Sequence, residues 1–285
     1  MAKKDEYEWV VNPSGETVVI KGNVEAKLRR SCEKELKYVI SKESELQKSA
    51  MKPVSALKRV IEQKLPDRVH SALCSAFFTA FNTVFEKGNG VIGKTFNHSE
   101  TVKDHMISDY AVRLKGDHKE LKRVRRRAGK TDTVNSAIST VEGVGLGLLG
   151  IGLPDLVLFI SLILKGIYEK STYYGHDYTE PRERYFILKC IETSLSRRED
   201  WIRLNSEVDG ITVDSYIPTD EELKEQIRRT ADACALDMLA NKFIQGLPIV
   251  GTVGGLTNPV YYGKILRYVK LKYHKRYLLG LLKDR

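Results

Sequence analysis

Residues 143–164 read GVGLGLLGIGLPDLVLFISLIL, and how this stretch divides decides the fold. It holds five glycines and one charge, Asp155. A bilayer span needs about 20 apolar residues, so length alone would allow one. Pro154 and Asp155 in the middle argue against it. Proline fixes φ and lacks an N–H, so it suits the first turn of a helix and damages an interior. A carboxylate beside it is favoured at the positive end of a new helix. At a bilayer centre the same carboxylate would cost ~3 kcal/mol. The stretch therefore reads as two helices, about 132–149 and about 154–170, joined at Gly150–Leu153. Each limb keeps about 10–15 apolar residues, which suits a buried hairpin. Gly143 and Gly147 share a helix face and let another backbone approach closely, in a core or, on a sharper reading, in a membrane.

On the C-terminal side lies YYGHDYTEPRERYFIL, residues 173–188. Thr179 or Glu180 caps a helix that starts at Pro181 and turns Tyr185, Ile187, Leu188, Ile191 and Leu195 inward. Residues 197–219 show little periodicity, and GITVDSYIPTD reads as a loop or short strand. Asp220 caps a long helix to about Gln245, with Glu221 and Glu222 also favourable in its first turn. FIQGLPIVGTVGGLTNPVYYG, residues 243–263, is a second glycine-rich apolar run, and Gly246-Leu247-Pro248 repeats Gly152-Leu153-Pro154. Two glycine-rich hairpins, 133–170 and 232–280, are thus expected to pack on one another. Asn258-Pro259 opens a final helix to about 282, with Ile265, Val269, Tyr273, Tyr277 and Leu281 four apart. Lys264, Arg267, Lys270, Lys275 and Arg276 crowd the rest, so it reads as a basic interfacial helix.

On the N-terminal side, YEWVVNPSGETVVI, residues 7–20, reads as a β-hairpin about Asn12–Gly15. Residues 23–50 form an amphipathic helix, Pro53 ends it, a short helix follows to Leu65, and a third runs over Arg68–Glu86. Gly88–Thr95, GNGVIGKT, matches GxxxxGK[ST], with Gly88, Gly93, Lys94 and Thr95 in the phosphate-binding positions. A phosphate loop follows a buried strand, whereas SAFFTAFNTVFEK before it has helical periodicity, so nucleotide binding is not favoured. A helix from about Ser99 to Lys115 leads to the basic run 113–130, with nine Lys/Arg against two acids. Arg123, Arg125, Arg126 and Arg127 make it a candidate for anionic surfaces, and the lack of interleaved aromatics weakens a nucleic-acid reading.

The whole chain is 285 residues, 42% hydrophobic, with net charge +10. That is enough for a core and implies an anionic partner. Cys32, Cys74, Cys190 and Cys234 are widely spaced and read as buried reduced thiols of a cytosolic protein. MAKKDEYEWV has no apolar h-region, so no signal peptide is expected.

Three segments together resemble the EcsC protein family of bacteria. They are GVGLGLLGIGLPDLVLF, YYGHDYTEPRERYFIL and GLPIVGTVGGLTNPVYYGKILRYVKLKYHKRYLL, within about 130–280. The resemblance rests on the glycines before Leu153-Pro154-Asp155, on Tyr174-Gly175-x-Asp177 with Pro181, Glu183 and Arg184, and on Gly251, Gly254 and Asn258. It implies an α-helical, membrane-associated protein and specifies no reaction. The family is named after a gene beside an ABC-transporter operon, so an ABC transporter is an implied partner.

The residues therefore point to an all-α helical bundle built on two glycine-rich hairpins. A β-hairpin appendage (1–22) would precede a single helical domain (23–285). The first functional expectation is non-enzymatic: attachment of a cytoplasmic protein to an anionic membrane surface or lipid at its inner face. The alternatives are a hydrolase or metal-dependent enzyme using Asp155, His176 and Asp177, with Glu183 nearby, and a nucleic-acid-binding module. No HExxH, GxSxG or Cys–His pattern is present, and no cofactor or metal is expected.

Overall fold

The computed structural model describes residues 7–11, 14–21, 23–53, 67–85, 92, 96–129, 153–213, 216–244 and 259–283. Among these residues the domain is all-α. Its helices are α1 (Asn23–Ala50), α2 (Asp67–Thr83), α3 (His98–Lys115), α4 (His118–Arg127), α5 (Leu153–Tyr173), α6 (Pro181–Leu195), α7 (Arg198–Val213), α8 (Asp220–Ile244) and α9 (Pro259–Lys283). Two antiparallel strands precede them, β1 (Tyr7–Val11) and β2 (Thr17–Lys21), with Trp9 opposite Val19 and β1 beside α3.

Local sequence sets the helix boundaries. The Asn97 side chain accepts the Glu100 amide at 3.2 Å and caps α3, and Asp117 does the same for α4 through the Glu120 amide at 3.0 Å. Pro181 occupies the first turn of α6, where its missing N–H costs nothing. Thr219 and Glu222 form a reciprocal cap ahead of α8. The Glu222 amide donates to Thr219 Oγ1 at 3.3 Å, and the Thr219 amide donates to Glu222 Oε2 at 2.9 Å. The cap is therefore Thr219 rather than Asp220.

One continuous core joins all nine helices. α9 lies against α1, α5, α6 and α7, while α8 packs on α2 and α6. On α6 the buried positions run all round, from Phe186 through Leu188 to Cys190 and Ile191, as expected for a helix enclosed by others. α5 and α9, which end the two glycine-rich stretches, pack directly on each other. The first limb expected at 132–149, the short helix before Leu65 and the run 245–258 lie outside the described residues, as does the Gly88–Thr95 stretch apart from the buried Ile92. Helix α2 leads toward that stretch, not a strand.

Two further expectations are corrected. Residues 198–213, where little periodicity is expected, form a helix that takes in Gly210–Val213 of the stretch expected to be a loop or short strand, whereas 216–219 are irregular as expected. Trp201, Leu204 and Val208 recur at steps of three and four and are buried. Their signal is diluted by the exposed Ile202 and by Gly210-Ile211-Thr212-Val213, a poor helix-forming end. Nor is α9 an interfacial helix. Tyr268, Lys272, Tyr273 and His274 are all at most 1% exposed, so several faces are enclosed.

Gly116 joins α3 to α4 and shows how tightly α1 holds this corner. It takes a left-handed conformation (φ 59°), and its amide donates to Val112 O at 2.8 Å. Ser31 Oγ of α1 donates to Gly116 O at 2.9 Å. A Cβ on Gly116 would stand 2.6 Å from the Val24 carbonyl oxygen. Gly116→Ala should lower unfolding stability in urea by about 2 kcal/mol or more, from backbone strain plus the clash. Ser31→Ala should cost about 1 kcal/mol.

Candidate functional site

The charges of α9 are mostly spent inside the protein. Lys272 Nζ lies 2.5 Å from Glu43 Oε1 and 2.7 Å from Asp209 Oδ1. Lys275 Nζ approaches the same two carboxylates at 2.9 and 2.8 Å. Two ammonium groups and two carboxylates thus neutralise one another where α1, α7 and α9 meet. Arg276 donates to Glu183 Oε2 at 2.7 Å and covers the Phe186 ring, and Lys264 reaches Asp237 at 3.3 Å. Of the α9 cations expected to face an anionic surface, Lys264, Lys275 and Arg276 are therefore paired internally. Lys270 is half-buried with Nζ packed at Gly129, just past the end of α4, and Arg267 alone of the five is exposed.

Helix α4 divides its cations differently. Leu121, Val124 and Ala128 form its buried side. Arg125 also turns inward: Nε donates to Glu35 Oε1 at 2.5 Å, and the guanidinium lies 3.8 Å over the Tyr38 ring. Glu35 is fully buried and also accepts from His274 Nε2 at 3.2 Å. His118 Nε2 sits 2.6 Å from Glu35 Oε2, close enough for an ion pair but not aligned as a hydrogen bond. Burial works to raise the Glu35 pKa, yet the bonds from His274 and Arg125 together bring it from 4.5 to about 2.

The outward side of α4 carries Lys119, Lys122, Arg123, Arg126 and Arg127, all exposed. Positions 119, 122, 123 and 126 fall on one helical stripe. Arg123 donates to Glu120 at 2.6 Å and Arg127 to Ser108 at 3.3 Å. Lys119, Lys122 and Arg126 have no acidic partner among the described residues. This stripe can take anionic groups.

The residues suggested for catalysis do not assemble. Asp155 is in the first turn of α5, while His176 and Asp177 follow its other end. At 1.5 Å per residue those ends are about 30 Å apart, so no site unites the three. Asp177 accepts from the Thr179 amide at 2.8 Å and from its hydroxyl at 2.7 Å, which is a local turn. That hydroxyl bond, with the amide's, keeps the Asp177 pKa low. Glu183 is buried and accepts from Tyr273 Oη at 2.5 Å and Ser171 Oγ at 3.3 Å in addition to Arg276. It fastens α5, α6 and α9 together.

His176 and Glu183 do share a neighbour, Tyr273, whose ring centroid is 5.7 Å from the His176 ring. The preceding Gly175 has φ 79°, and a Cβ there would meet His105 Nε2 at 2.6 Å. His176 Nε2 is buried without a hydrogen-bond partner among the described residues. Burial, then the positive Arg276, push its pKa from 6.5 down to about 3. The imidazole is neutral and acts as packing.

One cluster was missed at the level of sequence. His70, Cys74 and Asp232 bring one ligand atom each within 4.8 Å of one another, although no metal site is expected from the motifs. The i, i+4 spacing of His70 and Cys74 was the available signal. Cys74 is half-buried, whereas Cys32, Cys190 and Cys234 are buried as expected.

The acid response follows from His176 and Glu35. The His176 pKa in the fold lies below its value in the unfolded chain, so unfolded chains protonate first. Its contribution is complete above pH 6.5 and is lost as pH falls toward 3. The Glu35 contribution is complete above pH 4.5 and is lost toward 2. His176→Asn should therefore flatten the fall in stability between pH 6 and 4 by up to about 1.4 kcal/mol per pH unit, read by urea melts. An unchanged slope would contradict a buried neutral His176.

The family model described as the EcsC protein family matches residues 30–278. That span runs from within α1 to within α9. No curated protein matches the chain, and no solved structure does.

Proposed function

Since the chain belongs to the EcsC protein family, we propose that this family helix bundle attaches peripherally to anionic membrane surfaces through the outward stripe of α4. One observation carries the reading. Lys119, Lys122 and Arg126 are exposed, share a stripe and have no acidic partner among the described residues, whereas most other basic residues expected to bind anions are paired or turned inward. Cations near an anionic leaflet contribute about 1 kcal/mol each, so these three contribute about 3 kcal/mol, and Arg123 and Arg127 bring the outward cluster of α4 to a lipid-binding size. Arg123 and Arg127, on the same helix, add to the same positive field.

Among the described residues no helix is long and apolar enough to cross a membrane. In our reading the glycine-rich stretches close two helical hairpins, and the first, which follows α4 in the chain, dips into the surface that α4 holds. The expected place of action is the cytoplasmic face, and association with an ABC transporter is carried by the family resemblance alone. A nucleic-acid reading is less favoured, because Tyr38, whose ring lies against α4, is covered by Arg125 and offers no stacking platform.

Co-sedimentation of the full chain with phosphatidylserine-containing and with neutral vesicles tests this. Binding to the anionic vesicles alone, weakened by salt, is expected. Changing Lys119, Lys122 and Arg126 together to Gln should weaken it about a hundredfold, while changing Arg228 and Arg229 of α8 should alter it less than twofold. Binding that resists salt would shift the weight to insertion of the glycine-rich stretches. Absence of binding, or a triple variant that binds like the parent, would overturn the proposal.

A further inference from the structure

We propose that His70, Cys74 and Asp232 form a binding site for a single zinc-class divalent ion, at the seam between α2 and α8. His70 and Cys74 stand one turn apart on α2, and Asp232 faces them from α8. His70 Nε2 is 3.1 Å from Asp232 Oδ1, Cys74 Sγ is 3.4 Å from His70 Nε2, and Cys74 Sγ is 3.5 Å from Asp232 Oδ1. Around a tetrahedral ion with bonds of about 2.0–2.3 Å, neighbouring ligand atoms stand about 3.3–3.6 Å apart. The three separations therefore approach one face of a coordination tetrahedron, and an ion needs only small side-chain shifts.

The chemistry of the set is selective. An imidazole, a thiolate and a carboxylate together suit zinc and disfavour calcium or magnesium, which want oxygen alone. Thiolate and carboxylate carry two negative charges, so a divalent ion leaves the site neutral. Binding breaks the Cys74 S–H bond, forms a sulfur–metal bond and releases one proton to solvent. The nearest α8 arginines do not compete for Asp232: Arg228 and Arg229 both pair with Glu225.

Three protein ligands leave a fourth position for water. The side chains of His70 and Asp232 are 28% and 50% exposed, so solvent reaches that position. Asp232 also lines a groove of about 850 Å³ between α6, α7 and α8, together with Arg197, Arg203 and Arg229. The ligands sit on two closely packed helices rather than on a loop, which holds their spacing.

The test uses the full chain, treated with chelator and then titrated with Zn²⁺ by calorimetry and with Co²⁺ by absorption. One equivalent of Zn²⁺ should bind, and Co²⁺ should give a thiolate charge-transfer band with tetrahedral visible intensity. Cys74→Ser and Asp232→Asn should each weaken Zn²⁺ at least tenfold and abolish or shift the cobalt band, and His98→Ala should change neither. A second readout uses no variant. Cys32, Cys190 and Cys234 are 0% exposed, so alkylation of the native chain reports on Cys74, and Zn²⁺ should slow it at least tenfold. No zinc binding, binding that survives both ligand variants, or alkylation indifferent to Zn²⁺ would overturn the site and leave a hydrogen-bonded contact between two helices.

Discussion

Neutralising the cations of α9 is the constraint on which the helix arrangement depends. Lys272 is 1% exposed, and an unpaired ammonium in that position would cost several kcal/mol. Glu43 of α1 and Asp209 of α7 prevent this by meeting Lys272 and Lys275 two against two. Glu183 of α6 meets Arg276, and Glu35 of α1 accepts from His274. Three helices are thus registered on α9 by charge as well as by shape. Hydrophobic contact alone tolerates rotation and sliding far better, because it is not directional. A rotation of α9 by one residue would leave buried ions without partners.

The same division explains α4. Its inward arginine, Arg125, is bound to Glu35 and stacked on Tyr38, so the helix is fastened at a fixed rotation. The remaining cations then point outward by geometry. A positive stripe on a fastened helix needs no backbone ordering when it meets an anionic surface, which limits the entropic cost of attachment to its side chains. The His70–Cys74–Asp232 cluster lies on the separate α2–α8 seam, so the two proposed activities do not share residues.

The local pattern of the chain carried most of the helices. Apolar periodicity and caps placed α1, α2, α3, α5, α6, α8 and α9 within a few residues of their observed bounds, and Pro154-Asp155 correctly marked a helix start. Helix α7 escaped because its apolar positions are few and its end is β-branched and glycine-containing. What could not be read was pairing at a distance. Lys272 and Glu43 are 229 residues apart, and Cys74 and Asp232 are 158 apart. A row of lysines with tyrosines looks the same whether it faces water or inward-facing carboxylates. Asp155 and His176 looked near one another for the opposite reason: a helix of 21 residues separates them by its full length.

The span from α1 to α9 has a consequence for synthesis. During translation the chain emerges from its N-terminal side, so Glu43, Glu183, Asp209 and Asp237 are all made before the cations they meet on α9. Until residues 259–283 leave the ribosome, the nascent chain carries carboxylates destined for the interior with no counter-charge from α9. Water must hydrate them, and that hydration opposes closure of the core around α6. The bundle can therefore be locked only late, by one helix delivering its cations together, and a ribosome stalled before α9 would expose an open, acidic seam to chaperones and proteases.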